Sequence, residues 1–209
     1  MKNILFKILI RSLFLFPFRF KALSLVEKFA SYSQGKGWGS STINEEVNNC
    51  LKLLRNKPNV FIDIGANKGH YTRLLLKKFD NLECHLFEPS EYNFNLLKDF
   101  FSNNKQVKIN KIALSNKNSS AKLFSDVKGS GMSSLTKRRL DHFNIDMNLF
   151  EEVELKRFDE YWDSKNYLID FVKIDVEGHE LDVLRGFGEL LESTKLIQFE
   201  FGGCNIDTK

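Results

Sequence analysis

A chain of 209 residues, 42% hydrophobic and 28% charged with only 3 Pro and 12 Gly, suits one globular domain with an appendage. Disordered, collagen-like and low-complexity polymers are excluded. Three cysteines (Cys50, Cys84 and Cys204) are odd in number and contain no C-x-x-C pair, which argues against a disulfide framework or a zinc ribbon and for reduced thiols. The net charge of +4 is uneven. Residues 1–40 hold seven Lys/Arg and one acid, while the other 169 residues hold 24 basic and 26 acidic side chains. The body is therefore nearly neutral, with no basic stripe to predict nucleic acid as a partner.

Residues 1–30 form a basic, apolar and aromatic arm. Lys7, Arg11 and Arg19 interrupt it, and its longest uncharged run, Ser12 to Phe18, is seven residues. A spanning helix needs about 20 apolar residues, so none is expected. No Ala-x-Ala cleavage site marks a signal peptide. Pro17 should end or kink a first helix near Phe16. The arm suits a helix lying on an anionic membrane surface, or one packing its apolar face on the body or on a second subunit of a homo-oligomer. The expected location is cytoplasmic, with peripheral contact at the inner face of the membrane on the first of these readings.

Residues 31–57 read as a lead-in. Gly35, Gly37 and Gly39 make a loop with no strand before it, so they fail as a dinucleotide fingerprint. Ser41 or Thr42 should cap a helix carrying Val47, Cys50, Leu51 and Leu54 at helical spacing, which stops before Pro58. From residue 58 to 209 strand and helix alternate. Strands are expected at Val60–Ile64, Cys84–Phe87, Val107–Leu114, Phe171–Val176 and Leu196–Phe201. Helices are expected at Tyr71–Phe79, Tyr92–Phe101, Phe158–Tyr161 and Glu180–Leu191. A hairpin is expected around Ala121–Phe124, and the charged stretch Lys137–Glu152 reads as helix-prone. This alternation predicts an α/β, Rossmann-like doubly wound parallel sheet. Ligands of such sheets sit at the carboxyl ends of the strands, where Asp63, Glu88 and Asp175 gather.

Two segments carry chemistry. In VFIDIGANKGHYT (residues 60–72), Gly65 and Gly69 flank a tight turn from strand to helix, with Asn67 between them. Glycines allow positive φ and close backbone approach, and the helix start near Lys68 to Tyr71 offers N–H groups to an anion. Asp63 puts a carboxylate in the loop, which opposes a pyrophosphate and hence a nicotinamide cofactor. An amino-acid moiety such as that of S-adenosylmethionine suits it, with the ammonium on Asp63 and the carboxylate on the helix N-terminus. Glu88, at the end of the next strand, can accept both ribose hydroxyls.

In DFVKIDVEGHELDVLRGF (residues 170–187), Asp175, Glu177 and His179 follow the fourth strand. One of them can take the proton of an acceptor hydroxyl during methyl transfer, and the trio could instead hold a divalent cation. Helix capping is the plain alternative. Glu200, in the apolar IQFEF, needs a partner and reads as a site residue or a structural pair.

FIDIGANKG, FEPSEYNFNLL, IALSNKN, SSL at 133–135, FVKIDVEGHELDVLRGF and IQFEF, in that order, resemble the FkbM family of S-adenosylmethionine-dependent methyltransferases over residues 58–203. The resemblance implies the class I methyltransferase fold and O-methylation, often of sugar hydroxyls in glycans or natural products. It places Asp63, Gly65, Asn67 and Gly69 at the methionine part and Glu88 at the ribose. It also places Ser115 near the adenine, and Asp175 and Glu177 beside the transferred methyl. The resemblance further implies that the loop Ser130–Leu135 closes over cofactor or acceptor. The family's sheet carries two strands beyond the fifth, so the resemblance also implies a sheet lacking them here. A truncated, non-catalytic cofactor-binding protein is the alternative that follows.

Overall fold

The computed structural model describes residues 23–27, 29–30, 43–140, 144–162 and 168–200. The first-helix kink at Pro17, the glycine loop 35–39, the Ser41/Thr42 cap, Cys204 and the end of the fifth strand lie outside these residues. The chain divides into two units, Met1–Asn49 and Cys50–Lys209. Residues 23–27 and 29–30 are helical, with Leu25, Val26 and Phe29 exposed. Among the described residues no helix is long and apolar enough to cross a membrane. Helix α1, Ile43–Leu53, carries Glu45 and Glu46 in its first turn and Lys52 in its last, each suited to the helix dipole.

The second unit is built on a five-stranded parallel sheet. Its strands are β1 (Val60–Ile64), β2 (Glu83–Phe87), β3 (Val107–Asn110), β7 (Phe171–Ile174) and β8 (Ile197–Phe199), in the order β3-β2-β1-β7-β8. The order reverses between β1 and β7, which pair in parallel. β1 is buried at every position, as expected of a central strand covered on both faces. Its side chains alternate. Phe61 points to helix α2 (His70–Leu76), where its ring lies 5.8 Å from Tyr71 and 5.1 Å from Phe171. Ile62 and Ile64 point the other way, into the main core with Val172, Ile174, Phe158, Val183 and Phe187. That face is covered by helices α4 (Phe158–Tyr161) and α5 (Glu180–Phe187), whose Phe158 and Phe187 rings stack at 4.2 Å. Helix α3 (Glu91–Phe101) follows β2 and contacts β3.

Four expectations are corrected. The third strand does not run from 107 to 114. It leaves the main sheet after Asn110, and β4 (Ala113–Leu114) joins a second sheet of order β4-β6-β5 with β5 (Ser119–Ser125) and β6 (Leu149–Lys156). Lys111, where period 2 calls for an apolar residue after Val107 and Ile109, marks the break. The region 137–152 is not helical among its described residues, and its end opens β6. In β6 only Val153 and Leu155 are buried, at period 2, against Leu123 and Ala113 in a small core. The expected hairpin strand near Ala121 exists as β5, but its antiparallel partner is this distant β6. The helix expected to reach Leu191 becomes a tight 3-10 turn from Gly188.

Candidate active site

A cleft opens at the carboxyl rim beside the β1/β7 reversal, where parallel sheets bind ligands. Gly65, Asn67, Glu88, Asp175, Glu177 and His179 line it. Six of the nine residues singled out from sequence therefore line one cleft, although 114 positions separate the first from the last. Ile112, Leu114, Leu123 and Leu135 add apolar lining, joined by Ser130, Gly131 and Ser133.

The turn after β1 is set by packing within the protein. Gly65 has φ +77°, and a Cβ there would stand 1.9 Å from the Asp175 carbonyl oxygen, so glycine lets the β1 and β7 turns touch. Gly69, at φ +71°, lies outside the cleft, where a Cβ would strike Leu97 and Phe101 of α3. Its place against α3 explains the glycine without a ligand. The loop amides are also engaged internally. Gly65 and Ala66 donate to the Phe87 carbonyl, Gly69 to Ala66, and Asn67 to Glu88 Oε2 at 2.7 Å.

Asp63 is fully buried and absent from the cleft wall. Strand alternation aims it with Phe61 toward α2, where it accepts a 2.6 Å hydrogen bond from Thr72 Oγ1. Its register partner Lys173 stands 4.0 Å away and also donates to Asp175 Oδ2 at 3.0 Å. Burial pushes the Asp63 carboxyl upward, and Lys173 and Thr72 oppose that. Asp63 thus stands behind the cleft, linked through Lys173 to Asp175, which lines it. Lys173, a charge inside the apolar strand FVKI, had a readable signal: a buried charge requires a partner.

Glu88 directly follows β2 and is 5% exposed. Besides the Asn67 amide it accepts the Ser90 N–H at 3.0 Å. Burial pushes its pKa up to about 7, against the pull of these two amides.

Glu177 adopts φ +53°, an uncommon conformation for a side-chain-bearing residue. Arg138 donates to its Oε2 at 2.6 Å, and Ser134 Oγ donates to its carbonyl at 2.8 Å. Burial raises the Glu177 pKa to about 7. Arg138 opposes that shift, and the charges of Asp175, Glu200 and Glu180 add to it. Glu200 itself is exposed. His179 Nε2 lies 3.0 Å from Ser115 Oγ and Nδ1 3.5 Å from Asp182. Burial lowers its pKa, so the imidazole is neutral near pH 7. Ser115 is buried behind His179 rather than in the cleft wall.

Among the described residues no three His, Cys, Asp or Glu converge as metal ligands, since Glu177 turns to Arg138 and His179 to Ser115. Sequence reading missed Arg138, which sits in a charged stretch without periodicity, and the tie between Ser134 and the Glu177 loop.

An open parallel sheet, a rim cleft at its reversal point and a buried carboxylate directly after β2 define an α/β enzyme of Rossmann-like build. Residues 63–206 match the family described as the Methyltransferase FkbM domain. The chain belongs to that family and is a methyltransferase. It is 25% identical over 192 residues to the 2-O-methyltransferase NoeI of Sinorhizobium fredii (strain NBRC 101917 / NGR234), covering 86% of this chain and 77% of that protein. It is also 11% identical, with a TM-score of 0.42, to a Staphylococcus aureus crystal structure described as a caffeoyl-CoA O-methyltransferase. That match covers 82% of this chain and 61% of the other.

Proposed function

We propose that the protein transfers the methyl group of S-adenosylmethionine to a hydroxyl, that of a sugar in a glycan or a related metabolite. The carrying observation is the convergence of Asn67 and Glu88 with Asp175, Glu177 and His179 on one cleft beside the sheet's reversal point. The similarity to a 2-O-methyltransferase supports an oxygen acceptor.

The donor set fits this cofactor. Glu88 offers a carboxylate to a diol, and Asn67 Oδ1 is a buried acceptor with no partner. When bound, S-adenosylmethionine supplies an electrophilic methyl on a sulfonium. Glu88 and Asn67 hold the nucleoside and methionine parts, with Gly65 beside them. Asp63 acts from behind by fixing Lys173 and through it Asp175, while Gly69 sets the turn and Ser115 orients His179. Glu177 is the base that takes the acceptor's proton, because a carboxylate titrating near 7 is matched to work at neutral pH. Asp175 and the neutral His179 flank the hydroxyl.

The test is incubation of the chain with methyl-labelled S-adenosylmethionine and a panel of mono- and oligosaccharides. The expected product carries the label as a base-stable ether. At saturating donor, turnover should fall about tenfold from pH 8 to pH 6 as Glu177 protonates, and Glu177→Gln should remove most of it. Label appearing only in base-labile esters, or full activity in the Gln variant, contradicts the assignment.

A further inference from the structure

Asn93 is a polar side chain in a place that ordinary helix chemistry leaves unexplained. It lies in the first turn of α3, is 2% exposed, and lines the cleft beside Glu88. Its Oδ1 has no hydrogen-bond partner. An unmatched buried acceptor is destabilising, so its presence calls for a reason.

The position is three residues after the Ser90 N-cap, where a side chain commonly reaches back to the cap residue's N–H. That N–H is already taken, because Ser90 donates it to Glu88 Oε1. The capping role is therefore filled by Glu88, and Asn93 is left facing the cleft. The corner around it is rich in acceptors. Asn67 Oδ1 is likewise unpartnered, and Glu88 is a carboxylate. The loop at Gly129–Gly131 lies near both carboxamides. Cβ atoms at those glycines would come within 3.1 Å of Asn93 Oδ1 and 3.2 Å of Asn67 Nδ2. Such a corner is complementary to a ligand edge that brings hydroxyl donors.

We infer that Asn93 is a second ribose-reading residue: its Oδ1 accepts one hydroxyl of the cofactor's diol while Glu88 accepts the other. This rests on the cofactor reading proposed above. Sharing the diol between a neutral carboxamide and a carboxylate satisfies the orphaned acceptor only in the bound state, so the ligand-free protein carries the cost and the complex relieves it.

The experiment is calorimetric titration of the full chain and of Asn93→Ala with S-adenosylhomocysteine and its 2′-deoxy and 3′-deoxy analogues. Asn93→Leu, which keeps the buried volume, serves should the Ala variant not fold. Removing the carboxamide should weaken S-adenosylhomocysteine binding about five- to tenfold. The wild type should lose a similar factor with one of the two deoxy analogues, and the variant should lose nothing more with that analogue. Equal affinity of variant and wild type overturns the inference while leaving the cofactor reading intact. So do losses that multiply with both analogues. A folded wild type that binds no S-adenosylhomocysteine overturns both.

Discussion

Glu88 and Glu177 share a pKa near 7, but the proposed function assigns them to different steps, so pH separates them. Glu88 must be ionised to accept hydroxyls, so S-adenosylhomocysteine affinity should rise about tenfold between pH 6 and pH 8. Glu88→Gln should flatten that dependence, and a flat profile in the wild type would place the ribose elsewhere. Arg138 holds the Glu177 carboxyl below where burial alone would put it. Arg138→Met should therefore move the turnover profile at saturating donor to higher pH, and an unmoved profile would remove Glu177 as the titrating base. What was legible at this scale was residue type and spacing. Gly65, Asn67, Glu88, Asp175, Glu177 and His179 were picked out and do meet in one cleft. Direction was harder to read. Asp63 points away because strand alternation pairs it with Phe61 and Lys173, and Gly69 is explained by Leu97 and Phe101. Asn93 could not be found from sequence, because a polar residue near a helix start reads as a cap until its cap N–H is seen to be taken.

At the scale of elements, close backbone packing between α5 and the segment after β4 holds His179 against Ser115. A Cβ at Gly186 would stand 2.1 Å from the Ser115 carbonyl oxygen. Gly186→Ala should overpack this contact at a cost of about 1–3 kcal/mol, lowering Tm by roughly 2–4 °C per kcal/mol for a chain of this size. Thermal unfolding checks it, and an unchanged Tm would mean the two segments part easily. The parallel strands were readable because β1 and β7 are short apolar runs ended by acids and glycine. β6 was not. Its EEVELK composition favours a helix by propensity, and only Val153 and Leu155 record the period-2 face that a distant partner buries. The split of the third strand at Lys111 was visible as a lapse in alternation, yet the apolar Ile112–Leu114 beyond it disguised a change of sheet.

For the whole molecule, the charge asymmetry divides a basic arm from a near-neutral catalytic unit. We propose that residues 1–30 bind anionic membrane surfaces, bringing the enzyme to membrane-borne acceptors. Deleting them should abolish co-sedimentation with liposomes containing phosphatidylglycerol while leaving S-adenosylhomocysteine affinity unchanged. Undiminished sedimentation would instead favour the arm as a packing element. The central claim, that the cleft beside β1 and β7 holds S-adenosylmethionine, is tested most directly by calorimetric titration of the purified chain with S-adenosylhomocysteine, with NADH as control. The account predicts saturable one-to-one binding of S-adenosylhomocysteine, lost in Glu88→Ala, and none of NADH. No binding of S-adenosylhomocysteine by a folded sample, or tight binding of NADH instead, would contradict it.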